Sequence, residues 1–260
     1  MKTIVSNIAE SLKPLAAFLL FSVMISALSA QTKTPAKNIV IVHGAFADAS
    51  GWEDVYNILT ARGYNVTLVQ NPLTSLEDDV AATERAIAKQ AGPVVLVGHS
   101  WGGTVITQAG ISAKVVSLVY VAAFVPAKGE SVLDLVKTAP PAAENGIMNP
   151  DQHGLIYYDQ AKFHAGFAAD VSPKKAAFMY ASQAPVAVKG FITPVSEVAW
   201  KTKPSYAIVA TEDKSINPDI ERTMYKRSGS VVTEIKGSHA IYISKPKQVA
   251  DVIESAAKAL

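Results

Sequence analysis

The chain of 260 residues contains no cysteine. Disulfides, thiolate metal sites and a cysteine nucleophile are excluded, and stability must come from the packed core. Charge is scarce as well. Charged residues make up 18% and the formal net charge is +2. No arginine-rich stripe or lysine block occurs, which argues against nucleic acid as a partner. No close cluster of histidines and carboxylates suggests a metal site. No period of about 20–50 residues repeats, which argues against a solenoid. The apolar run from Leu15 to Leu28 has 14 residues, short of the ~20 that a membrane-spanning helix needs.

Apolar residues reach 49%, enough for a globular protein with a large core. Residues 1–30 stand apart. Lys2 and Lys13 precede the apolar run, and the small residues Ala27, Ser29 and Ala30 follow it. Positive, apolar, then small is the order of a secretory signal peptide. Cleavage after Ser29 places Ala27 and Ser29 at the two small positions. The expectation is export, to the periplasm or the medium, with no stable membrane span after processing. Residues 31–37 read as a polar lead-in to a domain over 38–260.

From Asn38 onward strand and helix patterns alternate. Residues 38–44, 65–70, 93–98 and 114–124 are short β-branched runs that read as strands. Between them, residues 50–61, 75–90 and 101–112 carry helical spacing. Ser75 and Asp78 form a helix-start signature. The alternation pauses over residues 126–203, which are rich in proline, alanine and aromatics. It resumes with strands at 205–211 and 230–236 and helices at 218–227 and 245–260. This order predicts an α/β fold with a mostly parallel central sheet and helices on both faces. The pause predicts a cap inserted between the fourth and fifth identified strands.

In such sheets reactive groups collect at the carboxyl ends of strands. Gly98-His99-Ser100-Trp101-Gly102 follows the third strand and opens the third helix. Gly-x-Ser-x-Gly in that setting is a nucleophile elbow, a strained turn whose neighbours must be small. A serine hydroxyl needs a base, and the base needs a carboxylate to set its tautomer. Of five histidines, His239 follows the last strand and lies at the same sheet edge as Ser100. His99 adjoins the serine but is expected to point away from it. The strand end at 211 offers Glu212 and Asp213, and Asp213 is preferred because it enters the loop. The oxyanion hole should use the backbone N–H of Trp101 and one from residues 43–46, Ala45 first and Phe46 second. His43 is expected to order that loop beside the pocket.

Here the chain resembles the α/β-hydrolase superfamily, over residues 38–260. It is most similar to the branch of esterases and hydroxynitrile lyases that includes plant methylesterases and small bacterial esterases. The matching segments are VHGAFADASGWEDVYNILTARGYNV, VGHSWGG, TEDKSINPDIERTMYKR and KGSHAIYISKP. The resemblance implies Ser100 as nucleophile, Asp213 as acid, His239 as base and the amides of Ala45 and Trp101 as oxyanion donors. Hydroxynitrile lyases of this branch carry lysine directly after the histidine, where this chain has Ala240. That difference favours hydrolysis. Ser100 stands where haloalkane dehalogenases use aspartate, which argues against dehalogenation.

The expected activity is hydrolysis of a small to medium, mainly apolar ester through an acyl-enzyme, with no metal or organic cofactor. The same three residues would also serve a hydroxynitrile lyase or a carbon–carbon hydrolase. A slow-turnover ligand receptor of the same fold is the non-enzymatic alternative. The pocket is expected to draw on Phe46, Phe124, Phe167, His43, His153 and His164.

Overall fold

A computed structural model describes residues 36–259. The export signal read at 1–30, and residues 31–35 of the lead-in, lie outside the described residues. The chain begins with β1 (Asn38–Val42), α1 (Glu53–Ala61), β2 (Asn65–Val69), α2 (Leu76–Ala88), β3 (Val94–His99), α3 (Trp101–Ala109) and β4 (Val115–Val121). It continues with α4 (Val132–Val136), β5 (Leu155–Ile156), α5 (Gln160–Phe167), α6 (Pro173–Ala181), β6 (Val186–Ala187) and α7 (Val188–Ile192). It closes with β7 (Ser205–Ala210), α8 (Pro218–Ser228), β8 (Val231–Ile235), α9 (Ile241–Ser244) and α10 (Pro246–Lys258).

Six strands form one sheet in the order β2-β1-β3-β4-β7-β8. Every neighbouring pair in it is parallel. The period of two along each strand divides the core between two faces. Ile39, Ile41, Val95, Val97, Val119, Val121 and Ile208 pack with Val55 and Leu59 of α1 and Val249 and Ile253 of α10. Val40, Val42, Leu96, Leu118, Tyr120 and Val209 pack with residues of α2, α3 and α8. Central strands buried on both faces must be apolar throughout, which is why β1 and β3 read as continuous apolar runs. Burying one such side chain contributes about 1.5–3 kcal/mol, so this core can hold the fold without a disulfide.

Several short elements were not foreseen. Residues Ala49–Trp52 form a 3-10 turn capped by Asp48, whose side chain accepts from Ser50 N–H. β5 and β6 form an antiparallel pair within the stretch between β4 and β7, and α9 begins two residues after His239. β4 ends at Val121, three residues before the sequence pattern does. There Ala122 adopts φ 43° and the chain bends toward Ser100, whose N–H bonds to the Val121 and Ala122 carbonyls.

The sheet order has one consequence for function. β2 lies on one side of β1 and β3 on the other, so the loops after β1 and β3 diverge and leave a crevice between them. Val42 pairs with Gly98 in register, so the loop at 43–46 starts beside Ser100. Glycines allow that approach. A Cβ on Gly98 would stand 2.5 Å from the Gly102 carbonyl oxygen, and one on Gly102 would overlap the Val42 carbonyl oxygen. These are backbone atoms that cannot swing aside. Gly102→Ala should therefore destabilise the fold by about 1–3 kcal/mol. For a chain of this size that lowers Tm by about 2–12 °C. An unchanged melting curve would show that the helix and strand can part at no cost.

Candidate active site

Ser100 sits between β3 and α3 with φ 53° and ψ −121°. Non-glycine residues rarely adopt positive φ, and the strain persists only where the surroundings enforce it. Here they do. Besides its N–H bonds to β4, the Ser100 carbonyl accepts from Gly103 N–H at 3.0 Å and from Phe124 N–H at 3.2 Å. The turn directs Oγ toward His239. The Oγ to Nε2 distance is 2.8 Å. On the far side of the ring, Nδ1 lies 2.5 Å from Asp213 Oδ2.

Asp213 is buried at the end of β7, and its Oδ1 accepts from Ser215 N–H at 2.7 Å and Ile216 N–H at 2.9 Å. One carboxylate oxygen is therefore committed to the loop and the other to the imidazole. An accepting carboxylate puts the proton on Nδ1 and leaves Nε2 with a free lone pair toward the Ser100 hydroxyl. Glu212 is exposed and pairs with Lys236 at 3.5 Å. It does not reach His239. Behind Asp213, Glu221 of α8 is fully buried with no hydrogen-bond partner for either carboxyl oxygen. Burial and the neighbouring Asp213 charge push its carboxyl well above the usual range. Both effects favour the uncharged form of Glu221.

His239 is tied down by groups far away in the chain. Its carbonyl accepts from His99 Nε2–H at 3.0 Å. Burial, and then proximity to His239, hold the His99 imidazole well below its ordinary range, so His99 is a neutral donor. Its ring does not hydrogen-bond to the Ser100 hydroxyl and lies directly against His239, with ring centroids 4.6 Å apart. Asp170 accepts from the Ser238 hydroxyl and from Ser238 N–H. Ala240 N–H donates to the Phe167 carbonyl at 2.9 Å. The Phe167 ring meets His239 edge-on at 4.8 Å. No local pattern could have identified Asp170 or His99 in these roles, because their partners are 68 and 140 residues away.

The loop after β1 completes the site. A Cβ on Gly44 would stand 2.7 Å from Ser100 Cβ, so the loop lies against the serine. His43 Nδ1 donates to the Gly44 carbonyl at 2.8 Å, and its Nε2 accepts from Asn71 N–H at 2.9 Å. Burial lowers its pKa, consistent with the neutral ring that this donor–acceptor pattern requires. Phe46 adopts φ 58°. Among the described residues, no protein acceptor pairs with the backbone N–H of Ala45, Phe46 or Trp101.

Ser100 and His239 open onto a cavity of about 470 Å³. Ser100 is only 7% accessible and faces the cavity, whose lining includes residues of the stretch between β4 and β7. Ala45, Phe46, Trp101, Phe124 and Phe167 line that space, together with Leu133, Ile156 and Phe191. His43, His153 and His164 do not. His43 is buried in its loop, His153 is exposed beside Gln152, and His164 Nε2 donates to the Val171 carbonyl. The three phenylalanines expected at the pocket, Phe46, Phe124 and Phe167, are among its lining residues. Histidine identity alone carried no information on direction.

The polar residues at the cavity are largely committed elsewhere. Asn145 donates to the Lys214 and Ser215 carbonyls, and Ser215 Oγ donates to the Gly166 carbonyl. No Asp, Glu, Lys or Arg is among the lining residues. The site can therefore move a proton between Ser100 and His239 and hold an uncharged apolar molecule above them.

The model of the alpha/beta hydrolase family matches residues 39–252. Alpha/beta hydrolase nvfD of Aspergillus novofumigatus is 26% identical over 241 residues, covering 84% of this chain and 96% of that protein. A carbendazim hydrolyzing esterase of Nocardioides is 35% identical over 125 residues, covering 40% of this chain and 49% of that protein. Among solved structures, a pyrethroid hydrolase from Sphingobium faniae superposes with a TM-score of 0.72 at 22% identity. The match covers 86% of this chain and 98% of that one. At that identity the likeness speaks for the fold.

Proposed function

Because this chain belongs to the alpha/beta hydrolase family, we propose that it is a serine esterase that cleaves small to medium, mainly apolar esters through an acyl-enzyme. One observation carries the reading. Ser100, His239 and Asp213 form an unbroken hydrogen-bond chain that ends at an apolar cavity. The partial likeness to a carbendazim hydrolyzing esterase supports ester chemistry.

In the first step His239 Nε2 takes the Ser100 hydroxyl proton as Oγ bonds to the ester carbonyl carbon. The carbonyl oxygen becomes an oxyanion and rests on the N–H groups of Ala45 and Trp101. The N-terminus of α3 adds favourable potential at that point. Removing one such donor typically costs about 2.7–4 kcal/mol of transition-state stabilisation. Collapse expels the alcohol oxygen, which takes the proton from His239, and leaves the acyl group on Ser100. Water then repeats the sequence. Its proton goes to Nε2, its oxygen bonds to the acyl carbon, and Ser100 Oγ leaves with the proton returned by His239. Asp213 carries the countercharge to the imidazolium throughout.

A lyase reading uses the same residues but needs a cation for the departing cyanide. Ala240 is fully buried where such a cation would follow His239, and no lysine or arginine lines the cavity. The test is turnover of p-nitrophenyl butyrate with parallel labelling by a fluorophosphonate. We expect many product molecules per labelled site and the phosphonate on Ser100. A single burst without turnover would favour the receptor alternative. Cyanohydrin or diketone cleavage with no ester turnover would favour the lyase or carbon–carbon hydrolase.

A further inference from the structure

Asp79 of α2 is fully buried, and none of the ion pairs among the described residues includes it. Its two oxygens hold two distant parts of the site. Oδ2 accepts from the Trp101 indole Nε1–H at 2.7 Å. Oδ1 accepts from Leu73 N–H at 2.8 Å. Trp101 is the residue after Ser100, and its own backbone N–H is a proposed oxyanion donor. Leu73 is held at φ 60°, and its carbonyl accepts from Ala187 N–H at 2.8 Å, at the end of β6. α7 follows at once and supplies Val188, Phe191 and Ile192 to the cavity. Phe191 packs on the Trp101 ring at 5.6 Å. A Cβ on Gly190 would lie 3.2 Å from that ring.

A carboxylate buried without a cation is costly, and the cost shows: burial pushes the Asp79 carboxyl up to about 6, although the bonds from Trp101 and Leu73 pull it down. A neutral amide could not replace it. Asparagine has one acceptor oxygen, so its NH₂ would face one of the two donors. The position demands an acceptor on both sides, and the two donors lead to Trp101, a proposed oxyanion residue, and to the cavity wall formed by α7.

From this convergence we infer that Asp79 is a positioning residue for the transition state: it fixes Trp101, and with it the oxyanion amide, against the cavity wall formed by α7. The inference rests on the serine-esterase reading. It places Asp79 outside contact with substrate. Its loss should therefore lower kcat and leave KM nearly unchanged, since only the charge-developing step depends on amide placement.

The test measures p-nitrophenyl butyrate kinetics, fluorophosphonate labelling stoichiometry and melting for Asp79→Asn, Trp101→Phe and the double variant. Trp101→Phe keeps the backbone amide and removes the indole N–H together with the five-membered part of the ring, so it probes the same link if Asp79→Asn fails to fold. We expect each single variant to lose about 10- to 100-fold in kcat, less than deletion of an oxyanion donor, with KM within about two-fold and full labelling stoichiometry. The double variant should lose no more than the worse single one, because both changes break one link. Wild-type kcat in either single variant, or a double loss equal to the product of the single losses, would overturn the inference. If the wild-type chain neither turns over the ester nor labels at Ser100, the esterase reading fails and the inference fails with it. Wild-type turnover with an unaffected Asp79→Asn sinks the inference alone.

Discussion

Replacing Ser100 with alanine is expected to lower kcat for p-nitrophenyl butyrate about a million-fold, the scale measured when such a nucleophile is removed from a serine hydrolase. The hydroxyl oxygen is the atom that bonds to the acyl carbon, and the alanine variant has no replacement for it. The residual rate should come from the oxyanion amides and binding alone. The fold should survive. The elbow is pinned by backbone bonds from the Ser100 N–H and carbonyl, and the side chain adds only the bond to His239. Alanine pays the same positive-φ strain as serine, so Tm should move by no more than a few degrees. Kinetics paired with a melting curve decide the matter. A folded variant with esterase activity near the wild-type level would remove Ser100 from the mechanism.

Asp213→Asn is expected to cost about 10⁴-fold in kcat through a proton that moves by one ring position. The loop N–H groups of Ser215 and Ile216 require an acceptor at Oδ1. The asparagine oxygen must serve them, so its NH₂ turns toward His239. Nδ1 then has to accept instead of donate, and the imidazole proton goes to Nε2. That proton faces the Ser100 hydroxyl, and the ring can no longer act as base. Fluorophosphonate labelling should slow by a similar factor, while the heavy atoms stay where they are. Glu212→Gln is the control. Glu212 is exposed and reaches only Lys236, so kcat should not change. Loss of activity in Glu212→Gln, with Asp213→Asn active, would reverse the assignment of the carboxylate.

The two carboxylates show how far a linear reading reaches. They are adjacent in the chain, and either fits the spacing. Asp213 points inward because it enters the turn where two backbone amides converge on it, while Glu212 faces solvent. Ser100 shows the complementary limit. Its strained turn was legible from Gly98 and Gly102, since only glycine permits strand and helix to approach so closely. The enclosure of the cavity it faces was not, because much of the lining comes from the stretch between β4 and β7, which has no strict period to read. His153 and His164 belong to that stretch, and both turn away from the cavity.

Local forces left their record in the residue order: apolar runs that must be buried on both faces, glycines at close approaches, helix starts, and the succession of serine, acid and histidine at strand ends. Each of these acts over a few neighbouring residues, so a linear string displays it. The convergence of Asp79, His99 and Asp170 on Trp101, His239 and Ser238 belongs to the folded packing. Those partners meet only when a parallel sheet brings separate strand ends to one edge. Burial makes an unpaired donor or acceptor expensive, which holds these three pairs together however far apart their members lie in the chain.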